Sequence, residues 1–180
     1  SYYDISETFE CWDPYHGHPL GTIDRGRCYR ASRSAASQAA GAVFPIGKKV
    51  QRQRSLAFPL IVKSISEEAS LGISQASIVE DDEKLKDRVA FIHQNVGTGA
   101  LIEQYIEGRE FYVGVMGNGH LQVLPVWELI MDKLPDDAKR IATERVKWSR
   151  KYQQKYGITS REAGHLPEGK AQEIQDLAKR

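Results

Sequence analysis

Cysteine is almost missing: the 180 residues hold two, Cys11 and Cys28. Two thiols cannot build the disulfide framework that staples small secreted domains, so a reducing cytosol is the default compartment and a cytoplasmic location is expected. Long apolar runs are missing too. The stretch Phe58-Pro59-Leu60-Ile61-Val62 is far short of the roughly 20 residues a membrane-spanning helix needs. No segment joins a basic start to an apolar core and a small-residue cleavage site, so no signal peptide is expected. No sign of charge dominates. The 25 basic and 24 acidic residues leave a formal charge of +1, and no global field draws the chain to nucleic acid or membrane. What is present is ordinary: 41% hydrophobic and 27% charged residues. That is enough for one sizeable core or two small lobes. The chain opens on Ser1 rather than Met, which suggests a fragment or a processed form.

The charge is sorted along the chain. Between positions 25 and 54 every charged residue is basic, whereas Glu67, Glu68 and Glu80-Asp81-Asp82-Glu83 reverse the sign. The basic stretch reads either as a nucleic-acid arm or as a solvated segment. It has few interleaved aromatics, so nucleic acid is not an expected partner. Cys11, His16, His18 and Cys28 are zinc-binding residue types, but their spacing fits no common finger, and no metal site is expected there.

Periodicity suggests the elements. Residues 1–30 are punctuated by Pro and Gly and read as loop. Residues 31–41 are small and Ala-rich and favour a short helix ending at Gly41. Residues 58–64 form a buried strand candidate, and 65–72 a loop. A short strand at 76–79 precedes an amphipathic helix over 81–95. Its acidic start suits the helix dipole, and Leu85, Val89 and Ile92 fall on one face. Strands follow at 100–106 and 109–116. In the second, Phe111, Val113 and Val115 alternate with Tyr112 and Gly114. Asn118-Gly119 signals a tight hairpin turn, with 120–126 returning as partner. From Pro135 onward the chain reads helical: one helix from about Ile141 that Gly157 closes, and another over 168–180. The order is α+β.

Three groups of residues could carry chemistry. Lys63 ends a strand too apolar to be exposed, so its ammonium emerges at the strand end. There it is either a phosphate ligand or a solvated edge lysine. The loop Ser66-Glu67-Glu68-Ala69-Ser70-Leu71-Gly72-Ile73 is small enough for backbone N–H groups to approach an anion. It lacks the Gly-Lys-Ser/Thr end of a Walker loop, and an ordinary connection is the plainer reading. Glu103 and Glu110 lie in or beside adjacent strands and could accept hydrogen bonds from a nucleoside. They could equally be surface charges with Arg109 as their ion-pair partner.

In this order, the pieces resemble the ATP-grasp superfamily, nearest to its D-alanine–D-alanine ligase-like members. The resemblance runs from Phe44-Pro45 through Phe58-Pro59-Leu60-Ile61-Val62-Lys63 and Glu68-Ala69-Ser70-Leu71-Gly72-Ile73. It continues through Leu101-Ile102-Glu103-Gln104-Tyr105-Ile106-Glu107-Gly108-Arg109-Glu110-Phe111 to Leu124-Pro125-Val126-Trp127-Glu128, and then Val146-Lys147-Trp148 with Tyr152. It covers about three quarters of the chain. It implies an antiparallel ATP-grasp sheet with flanking helices. Residues 31–134 would be the nucleotide-binding subdomain, 135–180 the helical start of the C-terminal subdomain, and 1–30 an unmatched segment.

The resemblance also implies roles. Lys63 would hold the α- and β-phosphates, and Ser70 and Gly72 would lie in the loop closing over them. Glu103, with the backbone of Gln104, Tyr105 and Ile106, would meet adenine. Glu110 would bind the ribose, and Lys147 would be the catalytic cation near the γ-phosphate. Family members use ATP to convert a carboxylate to an acyl phosphate, which an amine then attacks. The expected partners are therefore ATP and small carboxylate and amine substrates. Magnesium is expected of the family, with its ligands on strands beyond Arg180. A second family lysine is not evident, Arg33 being the nearest basic residue. The chain alone is expected to bind adenine nucleotide weakly and to have little or no ligase turnover. A non-catalytic nucleotide-binding or interaction module derived from the fold is the alternative.

Overall fold

A computed structural model describes residues 41–67 and 70–179. Its first half is a four-stranded antiparallel sheet in the order β1-β4-β2-β3: β1 Gly41–Phe44, β2 Leu60–Ser64, β3 Ile78–Val79 and β4 Ala100–Gln104. β2 and β4 pair with Ile61 opposite Glu103 and Lys63 opposite Leu101. Strand geometry sends alternate side chains to opposite faces. On one face Leu60, Val62, Val79, Ala100 and Ile102 pack under helix α1 (Asp82–Phe91) through Leu85 and Val89. The other face carries Ile61 and Ile78, which pack with Ile141 from later in the chain.

Helix α1 starts where Asp81 caps it, accepting a hydrogen bond from the Lys84 amide at 2.7 Å. Asp82 and Glu83 then sit in its first turn, where the dipole favours negative charge. Its last residues widen into a π-turn, Ile92–Val96, which Gly97 ends with φ +77°. Glycine fits there because a side chain is strained at positive φ.

The second half is a three-stranded antiparallel sheet in the order β5-β8-β9, built from β5 Glu110–Tyr112, β8 Trp127–Ile130 and β9 Thr159–Glu162. Between β5 and β8 a small ribbon pairs β6 Val115–Met116 with β7 Gln122–Val123. Helices α2 (Glu144–Trp148) and α3 (Arg150–Tyr156) precede β9, and α4 (Lys170–Ala178) follows it. α4 buries Ile174 against Phe111 and Val126. Val146 of α2 is buried with Met131 and Leu134. The α+β class and antiparallel sheets expected from sequence are present.

Several boundaries differ from expectation. Gly41, expected to end a helix, instead begins β1 and pairs with Glu103; positions 31–40 lie outside the described residues. The strand expected over 76–79 is shorter, because Gln75–Ser77 forms a 3-10 turn. The strand expected over 109–116 is broken. β5 pairs with β8 but β6 pairs with β7, and the change of partner falls at Gly114. A Cβ on Gly114 would come 2.9 Å from Leu124. Neither Asn118 nor Gly119 adopts positive φ; Gly117 does, at +112°. The connection is therefore a longer loop and not the two-residue turn that Asn-Gly suggests. The helix expected from Ile141 is two helices. Ser149 ends α2 with an extended backbone (φ −95°, ψ 100°) and caps α3 through Tyr152 N. The all-helical reading after Pro135 fails at β9, an exposed strand that β8 holds by pairing.

Candidate nucleotide site

Lys63 and Glu103 lie on the sheet face opposite α1, the same face as Ile61 and Ile78. The Lys63 ammonium stands 2.8 Å from the Glu103 carboxylate, and both side chains are partly buried. The partner anticipated for Glu103 and Glu110, Arg109, goes elsewhere. It grips Glu128 with two parallel hydrogen bonds of 2.6 and 2.7 Å. It also donates to the Gly164 carbonyl at 2.7 Å. Beyond Gln104 the chain leaves the sheet. The Tyr105 amide donates to the Pro59 carbonyl at 2.9 Å, and the Tyr105 ring packs against Ile61, Ile78 and Ile141. Gln104 is exposed and Ile106 half-buried.

The loop after Lys63 is pinned at both described ends. Buried Ser64 accepts from the Glu67 amide at 2.9 Å and shares a hydrogen bond with Thr98. Ser70 is buried with φ +65° and donates its hydroxyl to the Ala142 carbonyl at 2.5 Å. Gly72 also has positive φ, and its carbonyl accepts from the Arg88 guanidinium. Further contacts tie the segment to the stretch before α2 and to its first residue. Gln75 exchanges side-chain hydrogen bonds with the backbone of Lys139, at 2.9 and 2.8 Å, and the Glu144 amide donates to the Ile73 carbonyl at 3.1 Å. The loop expected to close over phosphates is thus docked on the stretch that leads to Lys147.

Arg88 is the support the sequence reading missed. It is buried, and donates to Ser77 at 2.8 Å. Burial holds its pKa below the ordinary guanidinium value. A signal existed: Arg88 interrupts the apolar stripe Leu85, Val89 and Ile92 at helical spacing.

Lys147 lies on α2 and is half-buried. It lines a groove of about 410 Å³ with Tyr112, Leu129, Val146, Trp148 and Ser160 among its walls. Register explains the groove's floor. Glu110 is opposite Leu129, Tyr112 opposite Trp127, and Leu129 opposite Ser160. All five therefore point to the same side of the second sheet, and Phe111 and Glu128 point to the other. Glu110 accepts a hydrogen bond from the Tyr112 hydroxyl at 2.5 Å. Tyr112 thus joins Glu110 to the groove that Lys147 lines. Among the described residues, no group of three or more His, Cys, Asp or Glu could hold a metal ion. No helix among them is long and apolar enough to cross a membrane. Cys11, His16, His18, Cys28 and Arg33 lie outside the described residues.

A lysine-bearing antiparallel sheet backed by one helix, followed by a second small sheet that carries an acid and a groove lined by a helical lysine, is the architecture of an ATP-grasp ligase. Residues 43–180 match the family model for the D-ala D-ala ligase C-terminus, and the chain belongs to that family. The D-alanine–D-alanine ligase of Syntrophobacter fumaroxidans is 40% identical over 75 residues, 42% of this chain and 23% of that protein. The corresponding ligase of Desulforudis audaxviator is 35% identical over 75 residues, 42% of this chain and 24% of that protein. The chain therefore spans about a quarter of the curated relatives it matches. Among solved structures, the D-alanine-D-alanine ligase of Coxiella burnetii superposes with a TM-score of 0.61 at 17% identity, covering 88% of this chain and 38% of that one. The Bacillus anthracis ligase complexed with ATP gives 0.59 at 17%, covering 87% and 45%. At such identities these two establish the fold alone.

Proposed function

We propose that this chain supplies the nucleotide grip of an ATP-dependent carboxylate–amine ligase of the D-alanine–D-alanine ligase type. Lys63 takes the α- and β-phosphates as a point charge. Glu103 and the 104–106 backbone take the adenine edge, with the Tyr105 N–H already used by Pro59. Glu110 takes the ribose, and Ser70 and Gly72 belong to the loop over the phosphates. Lys147 serves as the catalytic cation at the γ-phosphate. The partners are ATP, a small carboxylate, which is phosphorylated, and an amine that attacks the acyl phosphate. Lys63 and Lys147 are the cations that this chain offers to the charge on the phosphates.

One observation carries the reading: Lys63 and Glu103 share the sheet face opposite α1, 2.8 Å apart. A cation held beside an acid on a partly buried face is suited to a ligand with an anionic tail and a hydrogen-bonding head. The family match supports ligase over a non-catalytic module, since the relatives above are themselves named as ligases. Isothermal titration of the chain with ATP in the presence of magnesium tests the proposal. Saturable binding, stronger for ATP than for adenosine, is expected. No binding at millimolar ATP would overturn it.

A further inference from the structure

We infer that Tyr112 is the positioning residue for Glu110, fixing one carboxylate oxygen so that the other is presented to a ribose hydroxyl. The inference deepens the nucleotide reading and rests on it.

Glu110 and Tyr112 are two apart on β5, so they share a face. The Tyr112 hydroxyl donates to Glu110 Oε1 at 2.5 Å. Oε2 takes no hydrogen bond from the described residues. The Tyr112 ring is held in turn. It is half-buried, stands opposite Trp127 in the ladder, and lines the groove with Leu129 and Lys147. A flexible carboxylate is thereby limited to one orientation before any ligand arrives. A group prefixed in this way loses less freedom on binding. Burial, and then the charge of Glu110, push the phenol above its ordinary pKa of 10. It therefore remains a donor across the neutral range.

The test compares ATP with 2′,3′-dideoxy-ATP, which lacks the ribose hydroxyls but keeps base and phosphates. Wild-type chain should bind ATP about tenfold more tightly, the scale of a hydrogen bond to a charged group. Tyr112→Phe keeps the ring and its packing. It should lower the ATP to dideoxy-ATP preference to about threefold or less, with dideoxy-ATP affinity unchanged within about twofold. A merely structural role would lower both affinities together, and that result would overturn the inference. Glu110→Gln serves as the second variant. If Glu110→Gln removes the preference and Tyr112→Phe leaves it intact, the ribose assignment stands and the positioning role falls. If wild type binds neither nucleotide, or shows no preference between them, the ribose assignment and the positioning role fall together.

Discussion

Lys63 reaches Glu103 diagonally across the β2–β4 ladder, ammonium to carboxylate at 2.8 Å. The acid holds the lysine on the sheet face away from α1, at some electrostatic cost to phosphate binding, because the cation is shared. Lys63→Ala should weaken ATP about tenfold or more and adenosine by less than about twofold, since only a phosphate contact is lost. Glu103→Gln should act differently. It frees the lysine and disturbs the adenine edge, so adenosine should lose more than ATP. Titration of both ligands against both variants checks this. Equal losses for all four pairs would mean the roles are misassigned.

How far this was legible in sequence depends on what holds each element. β2 announces itself by five apolar residues, and period two then places Lys63 and Glu103 on one face once the ladder is known. α1 is legible from Leu85, Val89 and Ile92. β9 was not, because Thr159, Ser160, Arg161 and Glu162 are all exposed. Its extended form comes from pairing with β8, and tertiary context of that kind leaves no local pattern. The docking of Ser70 on Ala142 was equally hidden, since a contact between residues 72 apart in sequence has no local signature. Glu110 and Tyr112 were readable as neighbours, being two apart on a predicted strand, but the bond between them was not.

Arg109 and Glu128 form a clamp between β5 and β8 that also holds the 164–165 carbonyls. Glu128 is buried, so removing its partner leaves a carboxylate short of compensation. Arg109→Ala should destabilise the fold by about 3 kcal/mol. Arg109→Lys keeps the charge but not the fork, and should still cost about 1–2 kcal/mol. Urea unfolding of the variants gives the values. A loss under about 0.5 kcal/mol for Arg109→Ala would mean the clamp is superficial.

Two glycines in the β6–β7 connection separate the observed loop from the turn that Asn118-Gly119 suggested. Gly117 sits at φ +112°, and a Cβ there would lie 2.2 Å from the His120 carbonyl oxygen. Gly119 has open space and no positive φ. Gly117→Ala should therefore cost about 2 kcal/mol or more, and Gly119→Ala should stay within about 0.5 kcal/mol of wild type. A tight Asn-Gly turn would make Gly119→Ala the costly change instead. Melting temperatures of the two variants decide between them.

Tyr112 gives the fold a pH dependence at its alkaline edge. Burial and the nearby Glu110 charge raise its pKa above the ordinary 10, so the folded chain keeps a proton that the unfolded chain releases. The sign follows from linkage. Below about pH 10 both states hold the proton and the contribution is complete; above it the unfolded state binds fewer protons, and stability falls as pH rises. One group contributes at most about 1.4 kcal/mol per pH unit to that slope. Tyr112→Phe cannot ionise there, so its stability should fall less steeply between about pH 10 and 11.5 than that of wild type. Every other alkaline group is common to both proteins, and the difference in slope isolates this phenol. Parallel urea-unfolding curves across that range would mean the hydroxyl ionises as freely folded as unfolded. Glu110 would then have lost the donor that orients it.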